Sequence, residues 1–322
     1  MTENIGNVTL NYNFYDGTDL YSDGDFIEEH ILNIVKNEDN YEYVHKDYVN
    51  WAVMYHLSRQ RENIVAPMEI NNTDEVLEIG AGMGAVTGAL AKKAKKVDCI
   101  ELSKRRSLVN AYRHKDFDNI EIIVGNFQNI KIEKKYDVIT LIGVLEYAYH
   151  YIDSDKPYED FIKKISKCLK SDGKLYIAIE NKLGMKYFAG YHEDHIGKPF
   201  VGIEGYKKED KVKTFSYSQL KNLVLENGFK KTRFFYPFPD YKLPTVIYSD
   251  DNISYAEIDF ANQSNFDIDV KQYFDPLKAI QSLHGSDEVK IFANSFLVEA
   301  IKETSYEKST INWKEISFSY RW

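Results

Sequence analysis

Cysteine is scarce: two residues in 322, Cys99 and Cys168. That excludes a disulfide framework and a cysteine-built metal site; both read as small buried apolar residues. Proline is scarce as well, with seven residues, three of them crowded into Pro237, Pro239 and Pro244. No apolar run reaches the length that crosses a membrane, and the first residues lack a secretory leader pattern. Positive charge is in deficit, with 41 Lys and Arg against 50 Asp and Glu and a formal net charge of −9. No basic cluster is interleaved with aromatics. Nucleic-acid and anionic-membrane partners are therefore disfavoured. The eight histidines show no H-E-x-x-H spacing, so no metal site is expected; the loop pair His192 and His195 with Glu193 and Asp194 is the alternative that could hold a divalent ion. A cytoplasmic enzyme fits these absences.

What the chain does have is a strand, a glycine turn and a helix. The apolar pair Val76-Leu77 leads into Glu78-Ile79-Gly80-Ala81-Gly82-Met83-Gly84, and a small-residue helix is expected over 85–94. Glycines there let a ligand lie against bare backbone, with helix N–H groups aimed at its anionic part. A second apolar strand over 97–100 ends in Glu101, placed to accept hydrogen bonds from ribose hydroxyls. An adenosine-containing cofactor follows. Gly80, Gly82 and Ala85 also satisfy the nicotinamide fingerprint G-x-G-x-x-A. Glu78 separates the two readings. A dinucleotide fold puts an apolar residue there, whereas a cofactor carrying an ammonium and a sulfonium gives a carboxylate a reason.

Further strands are expected over 120–124, 136–142 and 174–179, with a helix over 157–169 before the last. This E-x-G-x-G-x-G run, followed by Glu101-Leu102 and the later strands, resembles the class I S-adenosylmethionine (SAM) methyltransferases over roughly residues 74–180. The resemblance implies an α/β, Rossmann-like fold with a seven-stranded, mostly parallel sheet and helices on both faces. It also implies that Glu78, Gly80, Ala81, Gly82, Gly84, Glu101 and Leu102 line the donor site. Asn126 stands where the family usually has an acid for the adenine amino group; its side-chain carbonyl can accept that bond, and Phe127 can pack on the ring. Gly143 opens Gly143-Val144-Leu145-Glu146-Tyr147, which resembles motif IV.

Outside that core, residues 1–70 read as an N-terminal helical cap, with helices expected over 25–36 and 47–57 and a third capped by Ser58. It acts as a cofactor lid or a packing appendage; both stay open. The core spans 71–302, with insertions over 181–213 and 237–288. A helix is expected over 216–227 and a sixth strand over 229–236. A seventh strand over 292–301 is expected antiparallel beside the sixth. Residues 303–322 form a tail or edge strand, on apolar alternation through Ile316, Phe318 and Tyr320.

Runs such as Asp19-Leu20-Tyr21-Ser22-Asp23-Gly24, Ile179-Glu180-Asn181-Lys182 and Phe238-Pro239-Asp240-Tyr241-Lys242 are similar to bacterial methyltransferases found beside glycosyltransferases in cell-surface glycan clusters. That resemblance implies a sugar or glycan-precursor acceptor and association with glycosyltransferases.

A sugar hydroxyl is a weak nucleophile, so O-methylation benefits from a general base. Glu193-Asp194-His195 is the best run for one. His195 takes the proton, Asp194 or another carboxylate orients the ring, and His192 is next in line. Glu146 faces the transfer point or caps the following helix. Methylation at nitrogen or carbon, a non-catalytic SAM-binding module and a nicotinamide oxidoreductase are the other readings. The adenine dimethyltransferases of ribosomal RNA share motif I, but Ile142-Gly143-Val144-Leu145 replaces their N-(L/I)-P-(Y/F) run.

Overall fold

A hairpin opens the chain: β1 (Thr2–Ile5) and β2 (Val8–Phe14) pair antiparallel around a turn at Gly6. The expected cap is therefore not helical throughout. The helices come after it, as α1 (Asp25–Asn37) and α2 (Trp51–Leu57), and Ser58 caps a 3-10 turn over Arg59–Val65 rather than an α-helix. In this computed structural model the described residues are 1–19, 23–38, 50–260, 267–303 and 315–318. The start of the expected second helix, residues 47–49, and most of the tail lie outside them. The described residues gather into two compact units, Met1–Leu141 and Ile142–Trp322.

In the first unit, apolar runs alternate with helices. The elements are β3 (Glu75–Ile79), α3 (Thr87–Lys93), β4 (Lys96–Glu101), α4 (Lys104–Arg113), β5 (Ile120–Gly125) and β6 (Tyr136–Ile142). The strand order is β1-β2-β5-β4-β3-β6, and every pairing except the hairpin is parallel. Near-continuous apolar strands belong in such a sheet because both faces are covered. The central strands obey this: Val76, Leu77, Val97, Cys99, Ile139 and Leu141 are buried.

The second unit is antiparallel. After α5 (Pro157–Cys168) come β7 (Leu169–Glu180), α6 (Tyr217–Glu226), β8 (Lys231–Phe238), β9 (Val246–Ser249), β10 (Ser295–Ile301) and β11 (Glu315–Ser317). The order is β7-β10-β8-β9-β11. β10 is the late strand expected from 292–301. It lies between β7 and β8 and runs antiparallel to both.

Two expectations are corrected. The sheet is not seven-stranded: β3 to β8 and β10 are the expected seven, but β1, β2, β9 and β11 bring the described strands to eleven. It is also mostly parallel only in the first unit. β7 begins at Leu169, earlier than the expected strand over 174–179, so Ser171-Asp172-Gly173 lies within it. The run of prolines does not stop β8 either. β10 pairs with residues 231–235 only, so Pro237 has a neighbour on one side, β9, where its missing N–H is tolerated.

Candidate active site

The donor loop lies in the first unit. Beyond β3 the backbone turns sharply: Gly80, Gly82 and Gly84 have φ of 73°, 53° and 75°, a region that L side chains enter at a cost. Glu101, at the end of β4, clasps the turn. Its Oε2 accepts the Gly82 N–H at 2.8 Å and its Oε1 accepts the Ser103 N–H at 2.8 Å. With Leu102 N–H also among its donors, the carboxylate keeps acceptor capacity for a ribose hydroxyl. Burial raises the Glu101 pKa, against Arg106 and the backbone N–H donors. A Cβ built on Gly82 meets nothing within 4 Å, whereas one on Gly84 collides with the Asn110 side chain and the His114 ring. Gly82 therefore opens a cradle that a side chain would fill, and Gly84 is required by packing. The cradle and the clasped carboxylate fit the cofactor that the sequence implies.

The remaining donor-site residues have mixed surroundings. Glu78 is buried; its Oε2 accepts from the Thr87 hydroxyl at 2.6 Å and the Cys99 thiol at 3.4 Å. Burial pushes its pKa up to about 7, against the pull of those two bonds. The Asn126 carbonyl accepts the Gln128 N–H at 2.9 Å, capping the turn Phe127–Asn129. It thus has a local task besides the adenine contact. Phe127 and Ala81 are buried, and Leu102 is half-buried.

The N-terminal helices reach this loop. Met83 shares an apolar cluster with Ile31, Leu32, Val35, Val53 and Val109. Arg106 on α4 ties them down. Its Nε donates to Glu28 at 2.9 Å and its Nη2 to Asp23 at 2.6 Å, and Asp23 also meets His56 at 2.7 Å.

The acid–base group lies in the second unit. Three separate segments bring carboxylates to one ring. Glu146 sits in the turn Leu145–Tyr147, Glu180 ends β7, and His195 lies in the loop after it. His195 Nε2 is 3.7 Å from Glu146 Oε1 and 3.9 Å from Glu180 Oε2. Its Nδ1 is 2.8 Å from Glu193 Oε1, and Glu193 Oε2 accepts the N–H groups of His195 and Ile196. The Tyr206 hydroxyl donates to Glu193 at 3.0 Å, and Tyr147 packs edge-on against the His195 ring at 5.2 Å. One oxygen each of Glu146 and Glu180, Oε2 in both, is buried with no hydrogen-bond partner.

Several expectations change here. Glu193, not Asp194, orients His195. Asp194 instead pairs with Lys186 at 3.0 Å and Lys242 at 2.8 Å and accepts from the Tyr187 hydroxyl. Burial pushes the Asp194 pKa up, but those lysines outweigh it and hold it well below the ordinary range. Glu146 is a buried partner of the ring rather than an exposed helix cap. His192 bridges to Pro199 and stands outside the group. Burial pulls the His195 pKa down, but Glu180, Glu146 and Glu193 outweigh it and hold it well above the usual imidazole range. Those carboxylates favour the protonated ring. Burial and the Glu180 charge raise Glu146. Gly143 turns at φ 70° under the Tyr241 hydroxyl, which a Cβ there would meet at 2.9 Å.

Glu180, Lys186 and Lys242 are absent from the sequence-derived site. The available signal was a carboxylate closing an apolar strand, as at Glu78 and Glu101: Glu180 closes Ile177-Ala178-Ile179.

The methyltransferase-domain family model matches residues 77–175. An uncharacterized methyltransferase of Staphylococcus carnosus is 30% identical over 160 residues, covering 48% of this chain and 69% of that one. Ribosomal RNA small subunit methyltransferase A of Ligilactobacillus salivarius is 42% identical over 62 residues. That match covers 19% of this chain and only 21% of the ribosomal enzyme. Among solved structures, phosphoethanolamine N-methyltransferase 1 of Haemonchus contortus aligns with TM-score 0.49 and 12% identity, over 88% of this chain and 50% of that one. The match to the Staphylococcus protein extends over more than two-thirds of its length and joins the clasped glycine turn, so the chain belongs to the SAM-dependent methyltransferases.

Proposed function

We propose that the enzyme methylates a hydroxyl oxygen of a polar acceptor, a sugar or glycan precursor, in the cytoplasm. The observation that carries this is the buried group Glu146, Glu180 and His195, whose two unpartnered carboxylate oxygens call for a hydrogen-bond donor. A hydroxyl-rich ligand supplies such donors and an apolar one does not. The resemblance of several runs of this sequence to methyltransferases of glycan clusters is in keeping with this reading.

SAM supplies a methyl group on a sulfonium leaving group, so the protein's task is to position the acceptor and receive its proton. On this reading the Glu146 carboxylate, made more basic by burial, takes the proton. His195 beside it carries positive charge that steadies the oxygen as the proton leaves. Glu193 fixes the ring. The surplus of carboxylates also favours a second reading, N-methylation of an amine, whose ammonium they would hold.

The test is methyl transfer in vitro from SAM to panels of sugars, nucleotide sugars and amines, read by mass spectrometry and by release of S-adenosylhomocysteine. Glycan precursors from cells with and without the protein serve as the second arm. A methyl-mass gain on sugars is expected. Gain on amines alone rejects the hydroxyl reading in favour of the second. His195→Ala should lower kcat by roughly 10²–10³, the range for losing one electrostatic stabiliser of a developing oxyanion, while leaving SAM affinity intact; unchanged kcat removes His195 from the reaction.

A further inference from the structure

We infer that Glu146, Glu180 and His195 form a site for one divalent transition-metal ion. The inference goes beyond the acceptor reading and stands without it; a bound ion displaces the Nε2 proton and takes over the positive charge that the ring carries in the ion-free site. The candidate ligand atoms are His195 Nε2, with Glu146 Oε1 at 3.7 Å and Glu180 Oε2 at 3.9 Å; the three residues offer ligand atoms within 4.8 Å of one another. Their side chains are 1%, 0% and 5% exposed, so water contributes little to their solvation.

Three features go beyond an acidic cluster. First, the separations are wrong for hydrogen bonds and right for an ion. Nε2 lies 3.7 and 3.9 Å from the two oxygens, past the length at which a proton joins them well. Donors each bonded at about 2.1 Å to one cation lie roughly 3 to 4 Å apart. Second, Glu180 Oε2 is buried and unpartnered while its Oε1 is held by Lys242 and the Tyr241 hydroxyl. The carboxylate is fixed by one oxygen and presents the other toward the ring. Third, the histidine has the second shell of a metal ligand. Glu193 accepts from Nδ1 at 2.8 Å, which turns Nε2 toward the carboxylates and fixes the ring. Glu193 is itself held by two backbone N–H groups and Tyr206.

One imidazole nitrogen with two carboxylate oxygens suits Mn(II), Fe(II), Co(II) or Zn(II) better than Mg(II) or Ca(II), which prefer oxygen alone. Three protein ligands leave coordination positions open, a number that suits a ligand with adjacent hydroxyls. Glu146 Oε2 stays outside the ligand set and remains available to take a proton.

The experiment is a titration of the chelator-stripped full-length protein with Mn(II), read by the electron paramagnetic resonance of free ion, without methyl donor or acceptor. One equivalent should bind. E146Q and E180Q should each weaken binding at least tenfold, with S-adenosylhomocysteine binding showing that each variant is folded. If either fails that check, E193Q, outside the ligand set, should weaken binding about 10–100-fold. Wild-type protein that leaves Mn(II), Co(II) and Zn(II) free at millimolar concentration overturns the site, as do folded variants that bind like wild type. The two readings fail separately. Metal bound without sugar methylation removes only the acceptor reading. Sugar methylation by protein that binds no metal removes only the metal.

Discussion

At the scale of single residues, two glycines two positions apart have opposite reasons to exist. Gly82 faces open space and Gly84 faces Asn110 and His114, both at positive φ. Gly82→Ala should cost only the strain of a left-handed residue, about 1–2 kcal/mol, yet abolish SAM binding. Gly84→Ala should lower the melting temperature much more. Thermal melts beside calorimetric SAM titrations distinguish the two, and equal effects of both variants on stability would contradict the assignment. Glu78 makes a pH statement. Its carboxyl is pushed from 4.5 to about 7 by burial, so the folded protein holds a proton that the unfolded chain has released. That contribution is complete below pH 4.5 and is lost as pH rises through about 7; it amounts to about 3 kcal/mol. Apoprotein stability should fall across that window, and Glu78→Gln should flatten the slope. The glycines and Glu101 were legible in sequence because they act within one strand–turn–helix. Glu180 and Lys242 were not, because they meet across 62 positions of chain and neither carries a local signature of its partner.

Among elements, sequence patterning was informative wherever a strand is buried on both faces. β3, β4 and β6 read as apolar runs because the parallel sheet covers them. β1 and β2 escaped notice because Thr2, Glu3, Asn4, Asn11 and Asn13 give them a polar composition; pairing of β2 to β5 and of β1 to β2 makes them strand. The helical reading of 25–36 was sound because an apolar stripe at helical spacing has to be covered, and Val53, Val109 and Met83 cover it. The ionic tie was not readable. Arg106 is buried between Asp23 and Glu28, so Arg106→Ala removes their shared cation and leaves Asp23 with His56 and Glu28 with Arg105 at 3.7 Å. Removing one partner of a buried pair costs about 3–5 kcal/mol. The variant should melt earlier, and amide exchange should rise first in α1. Uniform exchange across the unit would show that the tie is not local to that helix.

For the molecule as a whole, charge opposes the ribosomal likeness. The net charge is −9, and the match to the ribosomal RNA enzyme covers 21% of its length. Phosphate binding needs lysine and arginine that release counterions. Fluorescence anisotropy should show no binding of small-subunit ribosomal RNA fragments at 150 mM salt, about the physiological level; salt-sensitive binding in the micromolar range would reopen that acceptor. Among the described residues no helix is long and apolar enough to cross a membrane. The clasp of Glu101 on the Gly82 and Ser103 N–H groups has a thermodynamic consequence. The turn proposed to receive the donor is already ordered, so SAM binding there should freeze few backbone torsions, its entropy being largely that of the ligand and displaced water. Donor and spent donor meet the same preset backbone, and discrimination between them falls to the methyl group and its charge.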